Sequence, residues 1–352
     1  MATSSQSSTT YASDLAYQTS ILQGVSRTFA LTIPRLPEGL RSVVGNAYLL
    51  CRIADTIEDS DTLTLEEKKE FSTRFVEAVQ GREEAQAFAE SLRARLGGST
   101  LESEKNLVEN TARVLRITRG FPGVQQAILA RCVRIMTSGM EHYQAARFRR
   151  GLPDLKHLDR YCYYVAGVVG EMLTDLFCQY SAKTAQKKEA LSKLAVSFGQ
   201  GLQMTNILKD IWDDKERDTC WLPEGVFQQE GFDLNALAPG AGDSAFEAGL
   251  VKLIAIAHAH LENALRYTLL IPKSEKGIRE FCLWAIGMAV LTLRRINHNR
   301  RFTSGTEVKI SRRSVRATIL AAKLLGGSNM LLRMLFSLAA RGLPRTALEA
   351  GA

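Results

Sequence analysis

Two short acidic runs hold the residues best able to do chemistry. Asp55-Thr-Ile-Glu58-Asp59 sets carboxylates at i, i+3 and i+4, and Asp210-Ile-Trp-Asp213-Asp214 repeats the spacing. Residues three and four apart share a helix face, so each run presents its acids together. Carboxylates crowded in this way repel one another and are costly to bury alone. A hard divalent cation relieves both problems. Mg²⁺ takes oxygen ligands and commonly shares one or two carboxylates with substrate phosphates. Arg52 precedes the first run and Lys209 the second, which suits a place where cations meet phosphate oxygens directly. Asp55, Glu58, Asp59, Asp210, Asp213 and Asp214 are therefore the candidate metal ligands. One such run alone reads as a solvated helix end. Two, each in an apolar helix, read as a metal–phosphate site.

The elements that position these acids are helices. Tyr48, Arg52, Asp55 and Asp59 fall at 0, +4, +7 and +11, one stripe of an α-helix whose other positions are Leu49, Leu50, Cys51, Ile53 and Ala54. Gln203, Asn206, Asp210, Asp213 and Arg217 fall at 0, +3, +7, +10 and +14 among Leu202, Met204, Ile207, Leu208, Ile211 and Trp212. Helical periodicity dominates elsewhere and alternating patterns are scarce, so the fold class is all-α. Helices are expected over 17–32, 37–59, 64–80, 85–97, 102–119, 122–147, 154–180, 187–216, 247–269, 276–300 and 311–340. Thr64 with Glu67 predicts a capping box. The expected organisation is a disordered Ser/Thr-rich tail over 1–15 and a single all-α domain over 16–345. Residues 222–244, with Pro223 and Pro239, form the longest irregular stretch. They read equally as a cover for a site or as a surface connection.

Composition narrows the classes. The 352 residues carry a net charge of +8, which allows nucleic acid, a membrane surface or a phosphate-bearing substrate as partner. The cations are scattered and no recognition helix or aromatic platform is visible, so no nucleic acid partner is expected. Six dispersed cysteines without a C-x-x-C pair read as buried thiols in a reducing compartment, not as a zinc site. No apolar run is long enough to cross a membrane, and no secretory signal stands at the start. A cytoplasmic, monomeric protein is expected, with peripheral contact at a membrane. For Met330–Arg345, apolar residues mixed with Arg333, Arg341 and Arg345 leave two readings open, an interfacial helix or a last core helix.

Four segments together resemble the squalene/phytoene synthase family: Ser26-Arg-Thr-Phe29, Tyr48-Leu-Leu-Cys-Arg-Ile-Ala-Asp-Thr-Ile-Glu-Asp59, Tyr161-Cys-Tyr-Tyr-Val-Ala-Gly-Val-Val-Gly170 and Gln203-Met-Thr-Asn-Ile-Leu-Lys-Asp-Ile-Trp-Asp-Asp214. The resemblance implies an isoprenoid synthase fold, with helices around a central apolar cavity and two facing acidic motifs. It implies that Asp55, Asp59, Asp210 and Asp214 act in catalysis with Tyr48 and Tyr161, the latter assisting the cationic step. Arg27, Tyr48, Arg52, Gln203 and Asn206 would line the diphosphate site, joined by Ser26, Thr28 and Lys209. Phe29, Val165, Gly167 and Phe281 would also bind substrate. Gly167 and Gly170 would either make room for a chain or allow close helix contact. The chain departs from the family pattern in two places. The second motif ends in Asp-Asp where Glu-Asp is common, and Trp221-Leu-Pro223 follows Thr219 and Cys220 where an Arg is usual, leaving Arg217 displaced.

The reaction implied is head-to-head condensation of two farnesyl diphosphates through presqualene diphosphate to squalene. Mg²⁺ would assist departure of diphosphate, and an apolar cavity would keep water from the allylic cation. Aromatic faces such as Phe29, Tyr161 and Phe281 would stabilise that cation. Val308-Lys-Ile-Ser-Arg-Arg313 resembles a V-K-I-R-K segment linked to NADPH, with Ser311 in place of an arginine. Lys309, Arg312 and Arg313, with Arg316 beyond, suit the 2′-phosphate of NADPH. The alternatives are dehydrosqualene or phytoene formation without reduction and, in another class, a non-catalytic lipid-binding or assembly factor.

Overall fold

A computed structural model of the chain describes residues 2–26, 28–145, 148, 150–240 and 243–348. Among the described residues the secondary structure is helical, apart from one isolated parallel bridge between Leu152 and Pro223. The chain divides into two compact units, 1–145 with 175–180, and 146–174 with 181–352. The sequence reading has one domain and a tail.

The first unit contains α1 (Ala2–Val25), α2 (Phe29–Thr32), α3 (Glu38–Asp59), α4 (Leu65–Val79), α5 (Ala85–Arg93), α6 (Glu102–Glu109), α7 (Thr111–Gly120) and α8 (Gly123–Ala145). α3 is its axis and packs against α1, α4, α6, α7 and α8. Leu40, Leu49, Leu50, Ile53 and Ile57 are fully buried along it, each such side chain adding about 1.5–3 kcal/mol. Its acids, by contrast, lie on the stripe read from the sequence. Thr64 and Glu67 form the expected capping box at the start of α4. The stretch read as a tail is helical from Ala2. Buried Asp14 anchors it, accepting from Arg113 Nε and Arg116 Nε of α7, both at 2.8 Å. Burial raises the Asp14 carboxyl, but the two guanidiniums outweigh it and hold the group below its ordinary value. The helix expected over 102–119 breaks at Asn110, whose side chain donates to the Asn106 carbonyl.

The second unit contains α9 (Leu155–Cys162), a π-helical turn (Tyr163–Gly167), α10 (Val168–Tyr180, its last six residues counted with the first unit), α11 (Ala182–Ala185), α12 (Lys188–Lys209) and α13 (Ile211–Glu216). It continues with α14 (Glu224–Gln229), α15 (Ser244–Leu270), α16 (Lys276–His298), α17 (Arg312–Leu325) and α18 (Asn329–Ala339). α12 packs on the π-turn, α15 and α16. The π-turn and the start of α10 meet α12 backbone to backbone. A Cβ on Gly170 would stand 2.1 Å from the Ala195 carbonyl oxygen, and one on Gly199 2.1 Å from that of Ala166, so only glycine fits. His260 of α15 is 1% exposed. Its Nδ1 pairs with Ser197 Oγ at 2.8 Å, and that hydroxyl accepts from Asn263 Nδ2. Its Nε2 has no hydrogen-bond partner among the described residues.

The stretch 222–244 is more ordered than its composition suggests. It includes α14, and Phe227 stacks with Phe246 at the start of α15 while Phe232 meets the same ring at a tilt. Gly151 takes a φ of +118°, and a Cβ there would come 2.6 Å from the Leu222 carbonyl oxygen. That close approach lets Leu152 N–H donate to the same carbonyl at 2.8 Å. The helix expected over 311–340 breaks at Gly326–Ser328, where Ser328 Oγ caps α18 by accepting from the Leu331 N–H. Buried Arg279 of α16 donates to the carbonyls of Thr268, Ile271 and Gly326 and to Asn329 Oδ1, gathering the ends of α15, α17 and α18. α18 touches the core through Leu332, while Met330, Leu331, Met334 and Leu338 stay exposed.

Candidate active site: two acidic helices

The first motif closes α3, and the helical stripe places its groups as the spacing requires. Arg52 bridges to Asp55 at 3.6 Å and pairs with Glu104 of α6. Glu104 was not foreseen, because its partner lies 52 residues away and no local pattern marks it. Ser26 Oγ accepts from the Phe29 N–H at 2.9 Å, Tyr48 O–H donates to the Val25 carbonyl at 2.9 Å, and the Phe29 and Tyr48 rings meet at 5.3 Å. Ser26, Thr28, Phe29, Tyr48, Arg52 and Asp55 thus belong to one neighbourhood around the start of α2 and the end of α3. Arg27 lies outside the described residues. The last carbonyl turn of α3 is held by Lys68 and by Gln144 Nε2, both donating to Glu58 O. This keeps Glu58 and Asp59 at a fixed helix end. Asp59 is exposed and Glu58 half-buried.

Asp55 is the perturbed member. Its side chain retains 31% exposure, yet the protein packed around it removes enough water for burial to push its carboxyl up to about 7. Arg52 opposes the rise and Asp59 adds to it. Burial also raises the Tyr48 phenol. Positive charge brought near such a carboxyl favours its ionised form, as Arg52 already does in part.

The second motif lies at a helix break. α12 ends at Lys209, and Asp210 takes φ −100° and ψ 15° before α13 begins. The sequence predicts a continuous helix there. The hydrogen bonds Asp210 N to Asn206 O and Asp214 N to Asp210 O, both 2.8 Å, carry the chain through the bend. Lys209 Nζ pairs with Asp210 at 3.0 Å, and Arg217 pairs with Asp214 at 2.9 Å, which gives the displaced arginine a partner inside the motif. Burial raises the Asp210 carboxyl, Lys209 opposes this, and Asp213 adds to it. Gln203 is half-buried, while Asn206 and Asp213 are exposed on the same stripe.

Among the described residues no three His, Cys, Asp or Glu side chains stand close enough to enclose a metal by themselves. The donor set suits Mg²⁺ nonetheless. That ion keeps waters and uses one or two carboxylates together with phosphate oxygens, and each motif offers such carboxylates with a cation beside them.

The remaining predicted residues separate into groups. Tyr161, 5% exposed, stacks flat on Trp221 at 3.9 Å and 10°; Trp221 was not foreseen as its partner. Gly167 is buried against Val196, at 3.0 Å from a would-be Cβ, so it takes part in the close contact with α12. Val165 is half-buried on the π-turn and Phe281 is buried in α16. Lys309, Arg312 and Arg313 are exposed at the start of α17. Ser311, standing where the resemblance expects an arginine, caps α17 by accepting from the Ser314 N–H at 3.1 Å. The six cysteines are free and buried, and no helix among the described residues is long and apolar enough to cross a membrane.

Known proteins share this fold. A structure of TcSQS with the ligand BPH1237 superposes with a TM-score of 0.74 at 24% identity, covering 96% of this chain and 94% of that one. A dehydrosqualene synthase in complex with ligand gives a TM-score of 0.67 at 20% identity, over 90% of this chain and 98% of that one. At such identities the likeness shows the fold. Among sequence relatives, the squalene synthase of Gibberella zeae is 29% identical over 81% of this chain, and that of Eremothecium gossypii is 27% identical over 87%. The chain spans 61% of the first relative's length and 67% of the second's. The squalene/phytoene synthase family matches residues 22–314, a range that contains both acidic helices and the Tyr161 segment, and the chain belongs to that family.

Proposed function

We propose that this chain condenses two farnesyl diphosphates head to head, through presqualene diphosphate, to squalene, with Mg²⁺ and NADPH. The observation that carries the reading is the pair of carboxylate runs on buried helices, each with a cation in contact, in a chain of this family. Mg²⁺ supplies Lewis-acid assistance to the departing diphosphate when bound. Asp55, Glu58 and Asp59 hold it at one motif, and Asp210, Asp213 and Asp214 at the other. Arg52 and Lys209 turn from carboxylates to phosphate oxygens. Ser26, Arg27, Thr28, Tyr48, Gln203 and Asn206 complete the diphosphate contacts. Phe29, Val165, Gly167 and Phe281 line the prenyl chains, and Tyr161 assists the cationic step from its stacked position. Fungal relatives named squalene synthases support the C30 product. Lys309, Arg312 and Arg313 are the contacts for the NADPH 2′-phosphate.

A second reading, release of an unreduced C30 product, is favoured by Ser311, which is committed to capping α17 where a further cation would be expected. Incubation of the purified protein with farnesyl diphosphate and Mg²⁺, with and without NADPH, separates the two by mass spectrometry. Squalene that disappears when NADPH is omitted supports reduction. An unchanged product in both reactions overturns it, and no C30 product in either overturns condensation itself.

Oily substrates and product also fit contact with an anionic bilayer. Residues 308–348 carry eight Lys or Arg and no Asp or Glu. Leu320 and Leu324 of α17 and Met330, Met334 and Leu338 of α18 are exposed. They lie opposite Ala322 and Leu332, which are buried in one cluster with Leu265, Leu283 and Trp284. Apolar stripes flanked by cations are the form of a helix that rests in the interface.

A further inference from the structure

The loop between α16 and α17 bears directly on the second acidic motif. Trp212, the residue between Ile211 and Asp213, donates its indole N–H to the Phe302 carbonyl at 2.7 Å and meets the Phe302 ring edge-on at 6.3 Å. Phe302 and Val308 are buried and pin the loop at both ends. Within it, Glu307 accepts from the Thr303 N–H at 3.0 Å and from the Thr303 hydroxyl at 2.8 Å. The Glu307 N–H closes the turn on the Ser304 carbonyl at 3.0 Å. The loop is therefore braced, and its middle cannot drift from the motif without breaking these contacts.

Gly305 stands at that middle. A Cβ there would lie 3.1 Å from the Lys209 carbonyl oxygen, 3.6 Å from Asp210 Oδ1 and 3.7 Å from Asp213 Oδ2. Its φ lies outside the left-handed region that favours glycine. The backbone conformation itself thus admits any L-residue. A side chain would press on the Lys209 carbonyl, which would have to yield slightly, and would fill the space in front of two carboxylates. A methyl group would sit in contact with both oxygens, displacing water and ligand and limiting the rotations by which the acids reach an ion.

We propose that the Phe302–Val308 loop walls the second metal cradle and that Gly305 is a positioning residue, its bare backbone leaving Asp210 and Asp213 free to take Mg²⁺ with diphosphate. This rests on the assignment of those acids as metal ligands. Supporting groups around a ligand set are worth about ten- to a hundredfold in metal affinity. Gly305→Ala should weaken binding by about tenfold, and Gly305→Val by more.

The test uses the full chain and Mn²⁺–pyrophosphate as probe, with bound ion followed by the enhancement of water-proton relaxation. Wild type, Asp210→Asn and Gly305→Ala are titrated in parallel, with Trp fluorescence and thermal melting to report the fold. Binding by wild type that is lost in Asp210→Asn and weakened about tenfold in Gly305→Ala, with the fold unchanged, is the expected result. In turnover the alanine variant should need about tenfold more Mg²⁺ yet recover kcat at saturating Mg²⁺, a rescue that mere loss of folded protein would not show. Binding in Gly305→Ala equal to wild type, with Asp210→Asn deficient, overturns the role of Gly305 alone. Equal binding by wild type and Asp210→Asn overturns the ligand assignment and the inference with it.

Discussion

Acid should unfold this protein in part through one histidine. His260 is buried, with Nδ1 on Ser197 and Nε2 unpartnered. Burial lowers its pKa from 6.5 to about 4, so the folded chain keeps it neutral. The unfolded chain therefore binds more protons between pH 6.5 and pH 4, and stability falls as pH drops through that window. Above pH 6.5 both states are neutral at this residue and its contribution is constant. An interval of about 2.5 pH units at about 1.4 kcal/mol each gives a loss of about 3 kcal/mol by pH 4, with about 2 kcal/mol gone at pH 5. The assay is urea unfolding of wild type and His260→Gln at half-unit steps from pH 7.5 to 4. Glutamine fills similar space without titrating, so the difference between the two curves isolates the imidazole from all other acid-sensitive groups. That difference should be flat down to about pH 6.5 and then shrink by about 3 kcal/mol. Parallel curves over the whole range would refute the argument, as would an NMR titration placing the His260 midpoint near 6.5.

Asp55→Asn should cut turnover at least about a hundredfold while raising, not lowering, the melting temperature at pH 8, since the raised carboxyl pKa means its charge opposes folding there; a stability loss measured by calorimetry would contradict this. Leu324→Glu with Met334→Glu should reduce co-sedimentation with phosphatidylglycerol vesicles at least about fivefold, charge being costly against a bilayer, with turnover on detergent-dispersed substrate retained. Gly151→Ala should destabilise by about 2 kcal/mol or more, because it combines a left-handed φ with a steric clash; an unchanged urea midpoint would count against the close approach seen at Leu222.

The helical placement of the candidate site's first motif was legible in the sequence because helix spacing is a local rule. The stripe Tyr48, Arg52, Asp55, Asp59 follows from positions alone, and the capping box at Thr64 likewise. What escaped depends on contacts distant in sequence. Arg52 meets Glu104, Asp14 meets Arg113 and Arg116, and Trp212 holds Phe302, all of them pairings that no window of a few residues contains. Helix interruptions at Asn110, Asp210 and Gly326 also escaped, since apolar periodicity continues across each while the backbone turns. The π-turn at Tyr163–Gly167 came from the same source. Gly167 in it and Gly170 just after it announced tightness of some kind, but not that the partner would be the α12 backbone.

Arg279 has a consequence for how the molecule comes apart. One cation secures the terminal carbonyls of two helices and the opening residue of a third, so peeling away either α17 or α18 strands part of the same buried guanidinium. Their amides should exchange with solvent at a common rate, as a single cooperative flap. Any ligand that settles on the cations at the head of α17 would then slow the breathing of α18 as well.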